Sequence, residues 1–245
     1  MDYYDLYVRP AAVDASVKLG FHSVSCALDY IGIQQFKSAA DELRKKKNSL
    51  LVAAVVSGNI IENCRKALDA ADLIIVETRV EDSCRIACES AEADLIVNCE
   101  LNESKDLIHQ RASGLDHTMA KLMAERDIGY IVNTCNIINS SGSRRAQILG
   151  RIMQNIMLCE KYGAKVIFSS GASTVYEARD PHALMALAKV LGLSDSKVKD
   201  TVSKNPLHFI KKAKNRNMPE VITKGLEVKS WGATKPKQKR KYGWY

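Results

Sequence analysis

Four carboxylates in this 245-residue chain stand where a divalent cation could gather them. Asp29, Glu77 and Glu100 close short aliphatic runs, and Asp5 lies inside another. Carboxylates brought to one point from separate strands suit Mg²⁺ or Mn²⁺, so Asp5, Asp29, Glu77 and Glu100 form a candidate set for a metal-dependent phosphoesterase. The competing reading pairs them with Arg9, Arg79 and Arg179, and it is the stronger one. A hydrolytic metal site usually recruits histidine, whereas His22, His109, His117, His182 and His208 neither end a run nor pair at a ligand spacing. Nucleophilic chemistry has less support still, because the chain contains no GxSxG elbow. The seven cysteines are odd in number, lack a CxxC pair and fall in apolar runs such as CALDY and LIVNCE. They read as reduced thiols packed like small hydrophobes.

Cations make a better case for function. The connection 102–116 carries Lys105, His109 and Arg111, with His117 just beyond it. The stretch NIINSSGSRR, 136–145, ends in Arg144-Arg145 at an expected helix start, where the helix dipole opposes positive charge. Placing two arginines there favours phosphate contact over a solvated turn. The segment SSGAST, 169–174, either cradles a phosphate with its amides or is only a tight strand exit. Residues 205–245 hold 11 Lys/Arg against 2 Asp/Glu, a net of +9, whereas the other 204 residues have 25 against 26. The end of the chain, KPKQKRKYGWY, combines Lys235, Lys237, Lys239, Arg240 and Lys241 with three aromatics. Such a segment can neutralise phosphates and stack on bases, or merely solubilise; together with the charge asymmetry it points to a polyanionic partner.

These residues need a scaffold. Short, continuous apolar runs at 3–8, 23–29, 49–56, 73–77, 95–100, 130–134 and 165–170 suit strands buried on both faces. Amphipathic stretches at 34–46, 60–70, 82–91, 116–125 and 144–161 separate most of them. Repeated strand-then-helix units imply a parallel sheet with right-handed crossovers. Regular spacing and the absence of GxGxxG after the first strand favour a closed barrel over an open doubly wound sheet. An eighth strand is left open, with 220–229 as its candidate. Helices follow the seventh strand: one capped by Asp180-Pro181, one over 194–204 and a strongly basic one over 206–216. The expected architecture is an α/β, TIM-barrel-like (β/α) barrel with additional C-terminal helices, one domain over 1–232, followed by a basic tail at 233–245. No apolar run approaches the roughly 20 residues that span a bilayer, so the expectation is a soluble, cytoplasmic protein with no membrane partner.

The block SSGASTVYEARDPHALMALAKVLGL, 169–193, resembles protein component 3 of archaeal ribonuclease P, the p30 family. It reads strand, SSGA, an Arg shortly before a Pro-started helix, then a helix ending LGL. Residues 111–131 and the loop 136–145 with its long helix are also similar, and the likeness covers roughly 3–215. The resemblance implies a TIM-barrel-like fold related to the polymerase and histidinol phosphatase enzymes, whose first strand carries an HxH metal motif. Here that stretch is Asp5-Leu6-Tyr7-Val8, without histidine. It therefore implies an RNA-binding subunit that is not itself catalytic, in a holoenzyme that removes 5′ leaders from precursor tRNA. The implied partners are the ribonuclease P RNA, a Pop5-like subunit and other ribonuclease P proteins, with precursor tRNA met indirectly. No cofactor is implied for this chain, the RNA being the part expected to need Mg²⁺. By position, Arg111, His117, Arg144, Arg145 and Arg179 carry over as RNA contacts; Lys235, Lys237, Lys239, Arg240 and Lys241 join them from composition.

Deleting residues 235–245 is expected to leave folding intact and to weaken RNA binding. The log–log salt dependence of binding should flatten by about 0.7–0.9 for each phosphate no longer neutralised. An unchanged slope in a salt titration would make the segment a solubility device only.

Overall fold

Strands covered on both faces must be apolar throughout, and this requirement shapes the sheet. In a computed structural model, which describes residues 2–46, 50–79, 82–106, 108–223 and 225–232, parallel strands alternate with helices. The order is β1 (Tyr4–Val8), α1 (Val13–Lys18), β2 (Ser23–Asp29), α2 (Ile33–Lys46), β3 (Leu51–Val56), α3 (Ile60–Ala67), β4 (Leu73–Glu77), α4 (Ser83–Glu89) and β5 (Leu95–Val97). Then come α5 (His117–Glu125), β6 (Gly129–Asn133), α6 (Thr134–Ile138), α7 (Gly142–Tyr162), β7 (Val166–Ser169), α8 (Pro181–Val190), α9 (Asp195–Val198) and α10 (Lys204–Asn217). Strands β1 to β7 are neighbours in sequence order and all pair in parallel, giving a nearly closed, TIM-barrel-like wall.

Alternation along each strand builds two apolar layers. Leu6, Ala27, Val55, Ile75, Val97, Ile131 and Ile167 form one cluster inside the barrel. Val52, Ile74, Ile96, Val132 and Phe168 belong to the other, which packs under the surrounding helices. All seven cysteines are free and buried, in keeping with their apolar sequence settings.

The candidate eighth strand is not a barrel strand. Residues 220–229 contain a separate antiparallel hairpin, β8 (Val221–Thr223) with β9 (Leu226–Glu227). Side chains close the seam instead. Asp5 of β1 accepts from Ser169 Oγ and, at 2.5 Å, from Ser170 Oγ, while Ser170 N donates to it at 3.2 Å. Tyr7 N donates to Ser169 Oγ at 3.1 Å, and just beyond the strands Arg9 N donates to the Ala172 carbonyl at 2.9 Å.

The opposite end is plugged by α10. Phe209, Ile210 and Ala213 join the interior cluster, and Phe209 packs so closely on Gly129 that a Cβ there would lie 2.8 Å from its ring. The basic helix anticipated in the sequence therefore faces inward in part. Lys212 and Arg216 are only 4% and 1% exposed and converge on the buried Asp94, with Lys212 Nζ at 3.2 Å and Arg216 Nη1 at 3.1 Å. One turn earlier, His208 meets Asp127 at 2.6 Å. Spacing of four residues between His208, Lys212 and Arg216 puts all three on one stripe.

Other departures are local. Asn98 takes a left-handed backbone (φ 67°), which stops β5 at Val97 and starts a 3-10 turn at Cys99–Leu101. The helix expected over 194–204 splits into α9 and a 3-10 turn at Lys199–Thr201. Helices α1 and α6 have six and five residues, too short for a periodic signal. No helix among the described residues is long and apolar enough to cross a membrane.

Burial pushes the Asp94 carboxyl up, but the charges of Arg216 and Lys212 and the bonds it accepts outweigh this and hold it below its ordinary value. Stability from such a depressed group is present above the ordinary carboxylate range near pH 4 and is lost as pH falls through the folded value. Asp94→Asn should cost about 3–5 kcal/mol at neutral pH, because it leaves two buried cations uncompensated. Urea midpoints between pH 7 and pH 3 should also fall less steeply in the variant than in wild type. Equal midpoints at pH 7 would contradict this role.

Candidate functional site

At the downstream ends of the strands the polar side chains are tied to one another. Arg9 donates to Asp29 at 2.8 Å. Glu77 holds Arg79 at 2.8 Å and accepts from Asn98 Nδ2 at 2.7 Å. Glu100 accepts from Asn136 at 2.8 Å and from Tyr130 Oη at 3.0 Å. Asn133 and Asn136 both donate to Asn98 Oδ1, at 3.1 and 2.8 Å. Gly171, at φ 64°, lies so near Asn133 that any Cβ would collide with the amide. Burial raises the pKa of both Asp5 and Glu100, and hydrogen bonds pull each back only in part.

This geometry bears on two alternatives weighed in the sequence, and it pairs Asp29 with Arg9 and Glu77 with Arg79. Asp5, Asp29, Glu77 and Glu100 do not converge, since each serves a different partner set. Among the described residues no three His, Cys, Asp or Glu side chains are grouped to hold a metal ion. Four amides of SSGAST are likewise committed. Ser170 N donates to Asp5, Ala172 N to Ser170 Oγ, and Ser173 N and Thr174 N to Glu177. Those four amides are turned to partners within the protein and not to a phosphate.

The rim above this floor is built from the loops after β5, β6 and β7. The loop after β5 is pinned by Arg151 of α7, whose side chain is fully buried. It reaches Asp106 at 2.7 Å and the carbonyls of Glu100 and Glu103 at 2.8 and 2.6 Å. Asn155 adds a bond to the Ser113 carbonyl at 2.8 Å. Neither Arg151 nor Asn155 stands out in the sequence. The available signal is two polar residues four apart, interrupting the apolar stripe of Ile148, Ile152 and Ile156.

The cations expected to meet RNA fall in three places. Arg144 and Arg145 lie in the first turn of α7, which has no acidic residue. Arg144 donates to Gln147 at 2.6 Å and to the Ser104 carbonyl at 3.3 Å, linking the loops after β5 and β6. Arg145 donates to the carbonyls of Ser140 and Ile138 at 2.7 and 3.3 Å. Arg179, after β7, donates through Nη1 to the carbonyls of Tyr176 and Ala178, both at 2.8 Å. Asn139 bonds Glu177 at 3.0 Å and joins those two loops. Arg144, Arg145 and Arg179 thus share one rim. Exposed His117 opens α5, behind the N-cap Asp116, which accepts from Met119 N at 2.7 Å. Arg111 is not in the same cluster: it donates to the Gly150 carbonyl at 3.0 Å, farther along α7. It lines a cleft of about 440 Å³ with Met153, Met157 and Leu191. Lys235, Lys237, Lys239, Arg240 and Lys241 lie outside the described residues.

Ion pairing sorts the arginines. Arg9, Arg44, Arg65, Arg79, Arg85, Arg151 and Arg216 each pair with a carboxylate. Among the described residues Arg111, Arg144, Arg145 and Arg179 have no such partner and donate to carbonyls or Gln147. Arg126 also lacks one and is bound to the Glu89 carbonyl. Guanidinium groups without a carboxylate keep their charge available for an anion.

The model of the family RNase P subunit p30 matches residues 53–218, more than half of the chain. The chain belongs to the RNase P subunit p30 family. Ribonuclease P protein component 3 of Methanosarcina acetivorans is 31% identical over 163 residues, spanning 66% of this chain and 64% of that protein, just under two thirds of its length. The component 3 of Methanosarcina mazei is 28% identical over 239 residues, 93% of this chain and 95% of that protein. A chain of an archaeal ribonuclease P with mature tRNA, solved by cryo-EM, superposes with a TM-score of 0.76 at 17% identity. That superposition covers 94% of this p30-family chain and 100% of the other, and it bears on the fold.

Proposed function

We propose that this chain is an RNA-binding scaffold subunit of ribonuclease P that supports the catalytic RNA in removing 5′ leaders from precursor tRNA and performs no chemistry itself. The observation that carries this reading is the set of arginines without carboxylate partners, Arg144, Arg145 and Arg179, on adjoining loops of one barrel face. On the floor below, Asp29 and Glu77 are ion-paired, and Asp5 and Glu100 are held by serine, asparagine and tyrosine side chains, which gives a polar face beneath the rim. Phosphate backbone suits the rim because a guanidinium fork can hold two phosphate oxygens at once. In this reading Arg111 and His117 extend the same RNA surface around α7 and α5. The ribonuclease P RNA is the direct partner, with a Pop5-like subunit and other ribonuclease P proteins assembled around it and precursor tRNA reached through the RNA. The chain needs no cofactor of its own, Mg²⁺ being the requirement of the RNA, and the assembly works in the cytoplasm.

Arg144→Ala, Arg145→Ala and Arg179→Ala combined should weaken binding to the ribonuclease P RNA by roughly tenfold or more at moderate salt. The salt slope should drop by about 0.7–0.9 for each phosphate released from an arginine. Thermal stability should stay near wild type, since surface substitutions usually change it by about 0.5 kcal/mol or less each. Reconstituted cleavage of precursor tRNA reads the consequence. Full activity with an unchanged salt slope would take this rim out of the RNA interface.

A further inference from the structure

Tyr176, between β7 and α8, holds its ring in solvent with 90% of the residue exposed, and its neighbour Val175 is 58% exposed. Tyr4, Tyr7, Tyr30 and Tyr130 are buried, as aromatic side chains with large apolar faces usually are. The exposed ring stands on a rigid turn. Val175–Glu177 forms a 3-10 turn closed by a capping box between Thr174 and Glu177. Glu177 accepts from Ser173 N at 2.8 Å, Thr174 N at 2.9 Å and Asn139 Nδ2 at 3.0 Å. The bond from Asn139, then those from the turn amides, hold its carboxyl down to about 2. Its negative charge is thus committed to bracing the turn. Arg179 clamps the Tyr176 carbonyl from the other side at 2.8 Å.

Two arginines are tied to the backbone of this turn and of the loop it bonds. Arg179 lies three residues on, with Nε and Nη2 unpartnered among the described residues. Arg145 bonds the carbonyls of Ile138 and Ser140, which flank Asn139, the residue that ties down Glu177. A solvent-facing aromatic on a braced turn, with guanidinium groups lacking carboxylate partners on the same and the adjoining loop, matches how proteins hold single-stranded nucleic acid: cations track the backbone while a ring receives a base. Duplex RNA keeps its bases stacked within the helix and offers no free face to such a ring. The braced turn also leaves little backbone entropy to be lost on binding.

We propose that Tyr176 is a stacking platform for an unpaired nucleobase, next to the phosphates gripped by Arg145 and Arg179. The proposal rests on the reading of this rim as an RNA surface. It adds that the surface selects unpaired over duplex RNA.

The full-length chain, titrated by fluorescence anisotropy with a labelled single-stranded oligoadenylate and with a blunt RNA duplex of equal length, provides the test. Tyr176→Ala should lose about tenfold in affinity for the single strand and leave duplex affinity and salt slope unchanged. Tyr176→Phe should retain the wild-type preference, because the ring and not the hydroxyl receives the base. Arg145→Ala with Arg179→Ala should instead weaken both RNAs and flatten both slopes. Wild-type affinity for the single strand in Tyr176→Ala, or an equal loss in Tyr176→Phe, would overturn the proposal while leaving the rim as an RNA surface. Loss of a ribonuclease P protein subunit from reconstituted particles, with single-strand binding intact, would assign the ring to a protein partner. Failure of the wild-type chain to bind either RNA would remove both readings.

Discussion

A barrel of seven strands has a seam, and the bonding of Asp5 across it sets the geometry of everything above. Among the described residues no eighth strand joins the wall, and β1 and β7 present edge groups to each other with no ladder between them. A buried donor or acceptor left unsatisfied costs about 1–3 kcal/mol. Asp5 serves as a multiple acceptor for Ser169 Oγ, Ser170 Oγ and Ser170 N, while Ser169 Oγ receives the Tyr7 amide. The end of β7 is thereby fastened to β1, and the loop that follows continues into the Arg9–Ala172 backbone bond. Arg179 and Tyr176 inherit their positions from that closure. The carboxylate within the first strand, a candidate metal ligand in the sequence, is here a fastening.

Positive charge has opposite fates at the two ends of the barrel. At the plugged end, Lys212, Arg216 and His208 are met by Asp94 and Asp127 and hold α10 across the opening. At the rim, Arg144, Arg145 and Arg179 are held in place by carbonyls, which fix direction without cancelling charge. A carbonyl partner orients a guanidinium, whereas a carboxylate partner neutralises it. The net charge of a segment therefore says less than the identity of each cation's acceptor.

The sequence disclosed what depends on neighbours along the chain. Short aliphatic runs located all seven barrel strands, and Asp180-Pro181 marked the start of α8, where Asp180 accepts from His182 N and Ala183 N. Arg144-Arg145 stood out because a helix start disfavours cations. Hidden were the pairings that only the fold creates. Asp94 and Arg216 are 122 residues apart in sequence, and Arg151 lies 51 residues from the Glu100 carbonyl it bonds. The bond from Ser170 N to Asp5 and the asparagine cluster on the barrel floor were likewise invisible, since both depend on residues from different strands meeting. The hairpin at 220–229 looked like a strand because two short extended pieces and one long one share the same composition.

Hydrogen–deuterium exchange of the full-length chain, free and in complex with the ribonuclease P RNA, tests most directly whether the downstream rim is the RNA face. New protection is expected in 102–116, 136–145 and 171–180, with amide exchange across 204–217 unchanged. Protection concentrated on 204–217 and the following hairpin, with the rim loops unaffected, would contradict an RNA-binding rim.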